Sequence, residues 1–481
     1  MERKVWILPL LFCVVIAVLA IVFHYPVRIG NALTLQPEAG FGIQSNFWRT
    51  LFEPVLGVLL YFNRSLYAIK EITMTLYWLV LIFVVYTLVK SILLERDNRK
   101  KLLLAQLVNL PVLVGIWFAL FVVMIFIPLP NDKIVNNTTD QVLVNTHSHT
   151  EFSHDGLMSQ ERLLKWHQRN GFDAFFITDH NNHRQTLEFV NLRWNKTQPG
   201  EPVVFCGEEF SGSNHLSLLG LKSDFKTKEL PDSVVVEKAR SEGAAIIANH
   251  WFDGERKSLE YYRDLGVDGF EIENTATDKR YNRGVYQRIK TFCEINGLIM
   301  NGGLDFHGYG AACAMWNAFE IPGWKNMDMQ AKEQAILNII KTRDQSKLKV
   351  LLLNDRPYYE KENLFLHTPV TLLNYFRTLT IWQVFSWIFW IFVVTVVVNQ
   401  LKRNPETAKK YSCHRILPLA GTAGAMFLLG LGLVYVLRNQ AVEDFTEIYP
   451  EYYRLLFIAG SALLVVSGLT AYFRVFRKNQ N

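Results

Sequence analysis

Residues 145–181 contain Asn145-Thr146-His147-Ser148-His149, Ser153-His154-Asp155-Gly156 and Thr178-Asp179-His180-Asn181. Each group sets imidazoles and carboxylates beside an apolar run. The pattern returns at Gly207-Glu208-Glu209, at His215 before Leu216, at Asn249-His250 and at Gly303-Leu304-Asp305-Phe306-His307. Nine of the twelve histidines lie between His147 and His307, too many in one segment for ordinary core or surface histidines. Imidazole with carboxylate is a donor set for Zn, Mn or Fe. No thiolate stands at any of these positions, which argues against a structural zinc site of the Cys type. Divalent ions held in this way lower the pKa of a water from about 15.7 towards about 7. They also neutralise oxygens on which charge builds. The chemistry on offer is hydrolysis.

Delivering so many donors to one place requires a chain that returns repeatedly. The donors follow short apolar, strand-like runs at 141–145, 174–178, 203–206, 244–248, 269–272 and 298–301, with a further run at 349–353. Helix-like stretches at 159–170, 232–241, 281–296 and 330–341 lie between them. This alternation predicts an α/β domain with a parallel sheet. Polar residues after the strands match the working end of a (β/α) barrel. A doubly wound sheet also places ligands at strand ends. Gathering seven returns at one point favours the barrel.

The motif set resembles the PHP (polymerase and histidinol phosphatase) family of metal-dependent phosphoesterases, whose fold is a distorted (β/α)7 barrel. The resemblance covers roughly residues 140–310 and extends towards 353. The family's opening His-x-His matches His147 and His149, its Asp-Gly matches Asp155, its Thr-Asp-His matches His180, and its Gly-x-Glu matches Glu209. Its later histidines match His215 and His250, and its closing Asp-x-His matches Asp305 and His307. The resemblance implies two or three divalent ions and a phosphorylated substrate. One ion would take His147, His149, Glu209 and Asp305; a second would share Glu209 with His215 and His250; a third would take Asp155, His180 and His307. Two departures are Trp251 after His250 and Phe306 between Asp305 and His307, which are expected to narrow or grease the pocket mouth. His183 and His154 stand as candidate proton donors, and Arg184 as a candidate phosphate ligand, each against the plainer reading of an ordinary polar residue. Glu208 and Asp179 are expected to orient ligands, and Glu271 is open between that role and an exposed acid.

The resemblance leaves both ends of the chain unexplained. The 481 residues are half hydrophobic, with a net charge of +6, and combine two materials. Apolar segments of about 20 residues lie at 5–23, 73–94, 107–128, 380–398, 417–436 and 455–471, and predict six membrane spans. An interrupted apolar stretch at 47–61 reads as interfacial or re-entrant. The predicted organisation is a membrane domain at 1–128, the metal-site barrel at 138–353, an interfacial segment at 354–379 and a second membrane domain at 380–481. Basic residues concentrate in short membrane-flanking loops, at Arg3 and Lys4, Lys90–Lys101, Lys402–Arg415 and Arg474–Lys478. Such loops stay cytoplasmic. Both termini are therefore expected in the cytoplasm and the barrel on the opposite, extracytoplasmic side.

No basic–aromatic patch suggests nucleic acid, and five cysteines without a Cys-x-x-Cys pair imply no disulfide framework. Six spans, short linkers and aromatics such as Tyr358, Tyr359 and Phe365 suggest membrane lipids as partners and a phosphorylated, lipid or lipid-linked substrate. The rival readings are a metal-dependent hydrolase of a non-phosphate bond, and a transporter or sensor with a metal-binding domain. The sequence does not set the oligomeric state.

Overall fold

The fold is that of a computed structural model, which describes residues 3–62, 69–194, 196, 198–251, 257–275, 283–310, 313–357, 363–404, 413–442 and 447–476. Tyr358, Tyr359, Lys409, Lys410, Glu443, Asp444, Arg477 and Lys478, which carry part of the topology and interface expectations, lie outside the described residues.

The strands are β1 Arg28–Asn31, β2 Phe41–Gln44, β3 Lys133–Asn136, β4 Gln141–Asn145, β5 Ala174–Ile177, β6 Val203–Ser211, β7 His215–Leu219, β8 Ala245–Ala248, β9 Gly269–Asn274, β10 Ile299–Gly303, β11 Met315–Glu320 and β12 Leu348–Asn354. The helices of the N-terminal part are α1 Arg3–Ile21, α2 Phe47–Leu51, α3 Glu53–Phe62, α4 Ile69–Ile92 and α5 Arg96–Phe126. The middle part adds α6 Gln160–Arg169, α7 Arg184–Arg193, α8 Asp232–Ser241, α9 Leu259–Leu265, α10 Arg283–Asn296 and α11 Met329–Lys341. The C-terminal part adds α12 His367–Arg377, α13 Ile381–Arg403, α14 Cys413–Val442 and α15 Ile448–Phe476.

Ten strands form one mixed sheet in the order β1-β12-β11-β4-β5-β6-β7-β8-β9-β10, which curls into a half-barrel. The alternating βα units predicted from sequence supply its parallel parts, β4–β5–β6 and β8–β9–β10. The sequence reading did not anticipate the antiparallel pairings. Only Gly212-Ser213-Asn214 separates β6 from β7, and so short a link permits only a hairpin. β11 and β12 return antiparallel beside β4, and β1, drawn from before the second apolar helix, closes that edge against β12. The curl brings the segments after β4 and β10 together through one parallel bridge, Ser148 to Phe306.

The parallel strands β4, β5, β6, β8, β9 and β10 are buried on both faces, as parallel strands covered by helices must be. In β5, Phe175 and Ile177 enter one apolar cluster while Ala174 and Phe176 enter the other, following the two-residue period. The helix predicted at 159–170 forms as α6 and buries Leu163, Leu164 and Trp166.

Among the described residues five helices are long and apolar enough to cross a membrane, lying in α4, α5, α13, α14 and α15. The sixth predicted span falls on α1, whose described apolar part, Trp6–Ile21, is shorter. The stretch at 47–61 forms the short helices α2 and α3. There Glu53 is fully buried and accepts hydrogen bonds from Tyr375 of α12 (3.0 Å) and Gln383 of α13 (3.1 Å). α5, α14 and α15 pack on one another around Val112, Ala425, Leu428 and Leu463. Leu157 and Tyr309, from loops of the metal-site domain, belong to the same cluster.

Candidate metal centre

One end of the half-barrel collects all nine donors. His147 and His149 follow β4, His180 follows β5, Glu209 sits in β6, His215 opens β7, His250 follows β8, and Asp305 and His307 follow β10. Asp155 arrives on the loop after His149. Gly156 allows that loop to fold tightly, because a Cβ there would collide with the backbone oxygen of Thr150.

The carboxylate of Glu209 lies at the middle. Its Oε2 is 3.1 Å from His147 Nε2, 3.2 Å from His149 Nε2 and 3.3 Å from His180 Nδ1. Its Oε1 is 3.1 Å from both His215 Nδ1 and His250 Nε2. Asp305 Oδ1 lies 3.3 Å from His147 Nε2 and 3.1 Å from His149 Nε2. Asp155 Oδ2 lies 3.0 Å from His307 Nε2 and 3.5 Å from His180 Nε2. Three groups have donor atoms within 4.8 Å of one another: His147, Glu209, His250 and Asp305; His149, Asp155, His180 and His307; and His180, Glu209 and His215. The grouping differs from the one the resemblance implied. His250 joins the His147 group, and His149 lies between that group and the Asp155 group.

The donor set fits divalent metal. His149 Nδ1 and Nε2, Glu209 Oε2, His215 Nδ1 and Asp305 Oδ1 are buried without a hydrogen-bond partner. A buried polar atom left in this way costs about 1–3 kcal/mol, and a shared cation removes the deficit. The electrostatics agree. Burial opposes the charged form of His147, but Glu209, Asp305 and Glu271 overcome it and hold the pKa well above the usual value. Burial likewise opposes charge on His250 and His307, yet neighbouring carboxylates raise them to about 9 and about 10. Burial would raise Glu209, but His147, His180 and His215 pull it well below the carboxylate range. His180 goes the other way, burial lowering it to about 4.

Supporting residues fix the rings. Glu271, fully buried, takes His147 Nδ1 on one oxygen (2.8 Å) and the His250 backbone N–H on the other (2.9 Å). Asn274 donates to that second oxygen (2.9 Å). A Cβ at position 303 would collide with the Glu271 carboxylate, so Gly303 leaves it room. Asp179 accepts the Thr150 N–H (2.6 Å) and hydroxyl (2.7 Å), pinning the turn after His149. His307 Nδ1 bonds the Asp305 backbone oxygen (2.8 Å), which turns Nε2 towards Asp155. His250 (φ +22°) and Asp305 (φ +50°) adopt left-handed backbone that non-glycine residues seldom take. Local strain of this kind collects at functional sites.

Three other sequence candidates part ways. His183 is buried, with one ring nitrogen on Glu208 and the other 3.0 Å from Ser223 O, so it is turned away from the cavity. Arg184 is 65% exposed beside Glu188 on α7. His154 stays at the rim, 53% exposed, with its ring 4.7 Å from that of His180. Trp251 and Phe306 do not grease the mouth. Trp251 is buried in the domain core and donates to Lys257 O (2.8 Å), while Phe306 stacks on Trp166 with ring centroids 3.9 Å apart.

The apolar wall of the site comes from elsewhere. A cavity of about 560 Å³ joins Asp155, His180, Glu209, His215, His250, Asp305 and His307 to one face each of α5 and α15. Tyr309 and Tyr452 also line it. Sequence reasoning missed both tyrosines. Tyr309 had a signal, two residues past His307 between Gly308 and Gly310, whereas Tyr452 had none.

A mixed half-barrel whose strand ends gather nine imidazole and carboxylate side chains defines a metal-binding α/β domain. Residues 145–211 match the model of the PHP domain family, and helices apolar enough to cross a membrane lie on both sides of that stretch. Among solved structures, a two-domain Bacteroides vulgatus protein containing a predicted PHP-like metal-dependent phosphoesterase is 18% identical, at TM-score 0.33. That match covers 44% of this chain and 64% of the Bacteroides chain. PsfC from Pseudomonas syringae is 16% identical at TM-score 0.33, over 43% of this chain and 96% of its own. An amidohydrolase from Chromobacterium violaceum, with bound sulfate and no metal, is 12% identical at TM-score 0.28, over 39% and 96%. No curated protein matches the chain.

Proposed function

We propose that this protein is a membrane-integral, metal-dependent phosphoesterase. The observation that supports it most is the convergence of His147, His149, Asp155, His180, Glu209, His215, His250, Asp305 and His307 at one end of the half-barrel, where His149, Glu209, His215 and Asp305 each keep a buried polar atom without a hydrogen-bond partner. In this reading they hold two or three divalent ions, Zn, Mn or Fe. When bound, such ions supply hydroxide at neutral pH and neutralise the phosphoryl oxygens. The chain's own groups do the rest. Glu271 and Asp179 hold the ligands in place. Burial raises the pKa of Tyr309, so its hydroxyl stays protonated; it donates to the Asp155 backbone oxygen (3.5 Å) at the wall of the cavity. His154 is placed to hand a proton to the leaving oxygen, while the committed bonds of His183 disfavour it.

In this reading α1 spans with the five longer apolar helices, and because short basic loops stay cytoplasmic both termini lie in the cytoplasm and the metal-site domain lies on the other side. The domain-facing ends of α5 and α15 support this, since the basic residues at 96–101 of α5 and at position 474 of α15 lie towards the other ends of these helices. A lipid or lipid-linked phosphate ester is the substrate class this arrangement favours. The test is to purify the full chain, measure its metal and screen phosphomonoesters, phosphodiesters and phospholipids, with Asp305→Ala as the control. Metal-dependent phosphate release that Asp305→Ala abolishes is the expected result. Cleavage of an amide substrate alone overturns the reading.

A further inference from the structure

The wall opposite the metal ligands is built from two helical stripes. On α5 the cavity-lining residues Phe118, Phe121, Val122 and Ile125 stand at i, i+3, i+4 and i+7. On α15, Ile448, Tyr452, Leu455 and Leu456 stand at i, i+4, i+7 and i+8. Each set is one face of a helix, and both faces turn towards the metal ligands. The stripe on α5 runs for about 10 Å at 1.5 Å per residue. A cavity of about 560 Å³ is far larger than a phosphate and its ions require, since a water takes only about 30 Å³. Leu455 lines the cavity and is nevertheless 49% exposed, on a helix apolar enough to cross a membrane. The cavity therefore opens sideways at that helix. Among the described residues lining it, none is Lys or Arg. A head group with several phosphates would find no side-chain cation there.

We infer that α5 and α15 form a lateral hydrocarbon groove, so that the substrate is an amphiphile from the bilayer with one phosphate at the metal ligands and one chain between these helices. This deepens the phosphoesterase reading and rests on it. The chain-bearing ester would reach the metal ligands from the side, without leaving the membrane.

The experiment uses the full-length, metal-loaded protein in lipid nanodiscs and n-alkyl phosphates from butyl to dodecyl, kept below their micellar concentrations. Burial of a methylene is worth up to roughly fourfold, so log kcat/KM should climb steeply with chain length. Bilayer partitioning contributes equally in every variant. The diagnostic is therefore the slope, which Leu455→Gln and Phe121→Gln should each cut by at least half. A slope that both variants leave unchanged overturns the groove. In parallel, a decyl phosphonate with a diazirine on its chain should cross-link to peptides spanning 118–125 and 448–456, and excess decyl phosphate should compete. Cross-linking confined to other segments overturns the groove even if no ester is hydrolysed. Absence of hydrolysis with any metal, together with cross-linking at the two stripes, removes the phosphoesterase reading alone.

Discussion

Glu271 holds His147 by its ring and His250 by its backbone, so one buried carboxylate aims two ligands. Glu271→Gln keeps the shape but loses the charge that favours the His147 Nδ1–H tautomer. Residues in this role typically contribute 10–100-fold to metal affinity or activity. A loss of about that size is expected in metal titrations, with the fold intact by circular dichroism; unchanged affinity would assign Glu271 to folding only. Proton linkage gives a second expectation. His250 and His307, raised to about 9 and about 10, are protonated at pH 7 without metal. Metal must displace those protons, so affinity rises from pH 6 towards pH 9 and binding at pH 7 releases protons. Calorimetry in buffers of different ionisation enthalpy measures that release, and a value near zero contradicts it. The donors were legible in sequence because each sits in a short motif beside an apolar run. The role of Glu271 was not, since its partners come from distant strands. For His183 and Arg184 the plainer reading fits the structure: His183 is bonded to Glu208 of β6, and Arg184 is exposed beside Glu188, one turn along its own helix.

At the scale of elements, the loop carrying Asp155 is clamped by helices of the C-terminal part. Tyr449 of α15 donates to Glu151 (2.7 Å) and to Leu157 O (3.2 Å). Arg438 of α14 donates to the same Glu151 oxygen (3.0 Å). The backbone N–H groups of Glu447 and Ile448 donate to His154 O (2.9 and 3.2 Å). A hydrogen bond to a charged group is worth about 1.5–3 kcal/mol. Tyr449→Phe should therefore speed hydrogen exchange across 150–158 and lower metal occupancy in the Asp155 group before the Glu209 group. Equal exchange in the two proteins would mean that the clamp is idle. The parallel strands were readable from apolar runs and spacing. The β6–β7 hairpin was missed, although its Gly-Ser-Asn link between apolar runs is a hairpin signal. The pairing of β1 with β12 was not: Arg28 meets Asn354 across most of the chain, and no local pattern records such a partner.

At the scale of the molecule, the metal-site domain and the apolar helices share one packed core, since Leu157 and Tyr309 are buried among residues of α5, α14 and α15. The Gly310 N–H bonds Ile125 O at the end of α5 (3.0 Å). Composition alone read the chain as two materials and placed their boundary near residue 138, because hydropathy reports membrane length but not which helix ends touch the metal loops. A fragment of residues 133–356 would lose β1, the α5 tie and both C-terminal clamps. It should bind less metal and hydrolyse even a short, soluble alkyl phosphate poorly, whereas removal of α1 alone, which packs on α12 and α13, should spare that activity. Metal content and butyl phosphate turnover of the two truncations decide the matter. A 133–356 fragment as active as the full chain on butyl phosphate would make the helices a mere anchor. Topology is tested on the same chain by labelling introduced cysteines from outside intact cells. Sites near Lys226 should react and sites near Lys100 should not if, as proposed, short basic loops stay cytoplasmic and the domain lies across the membrane. The reverse pattern would put the PHP domain inside the cell, and with it the leaflet from which the groove between α5 and α15 draws its substrate.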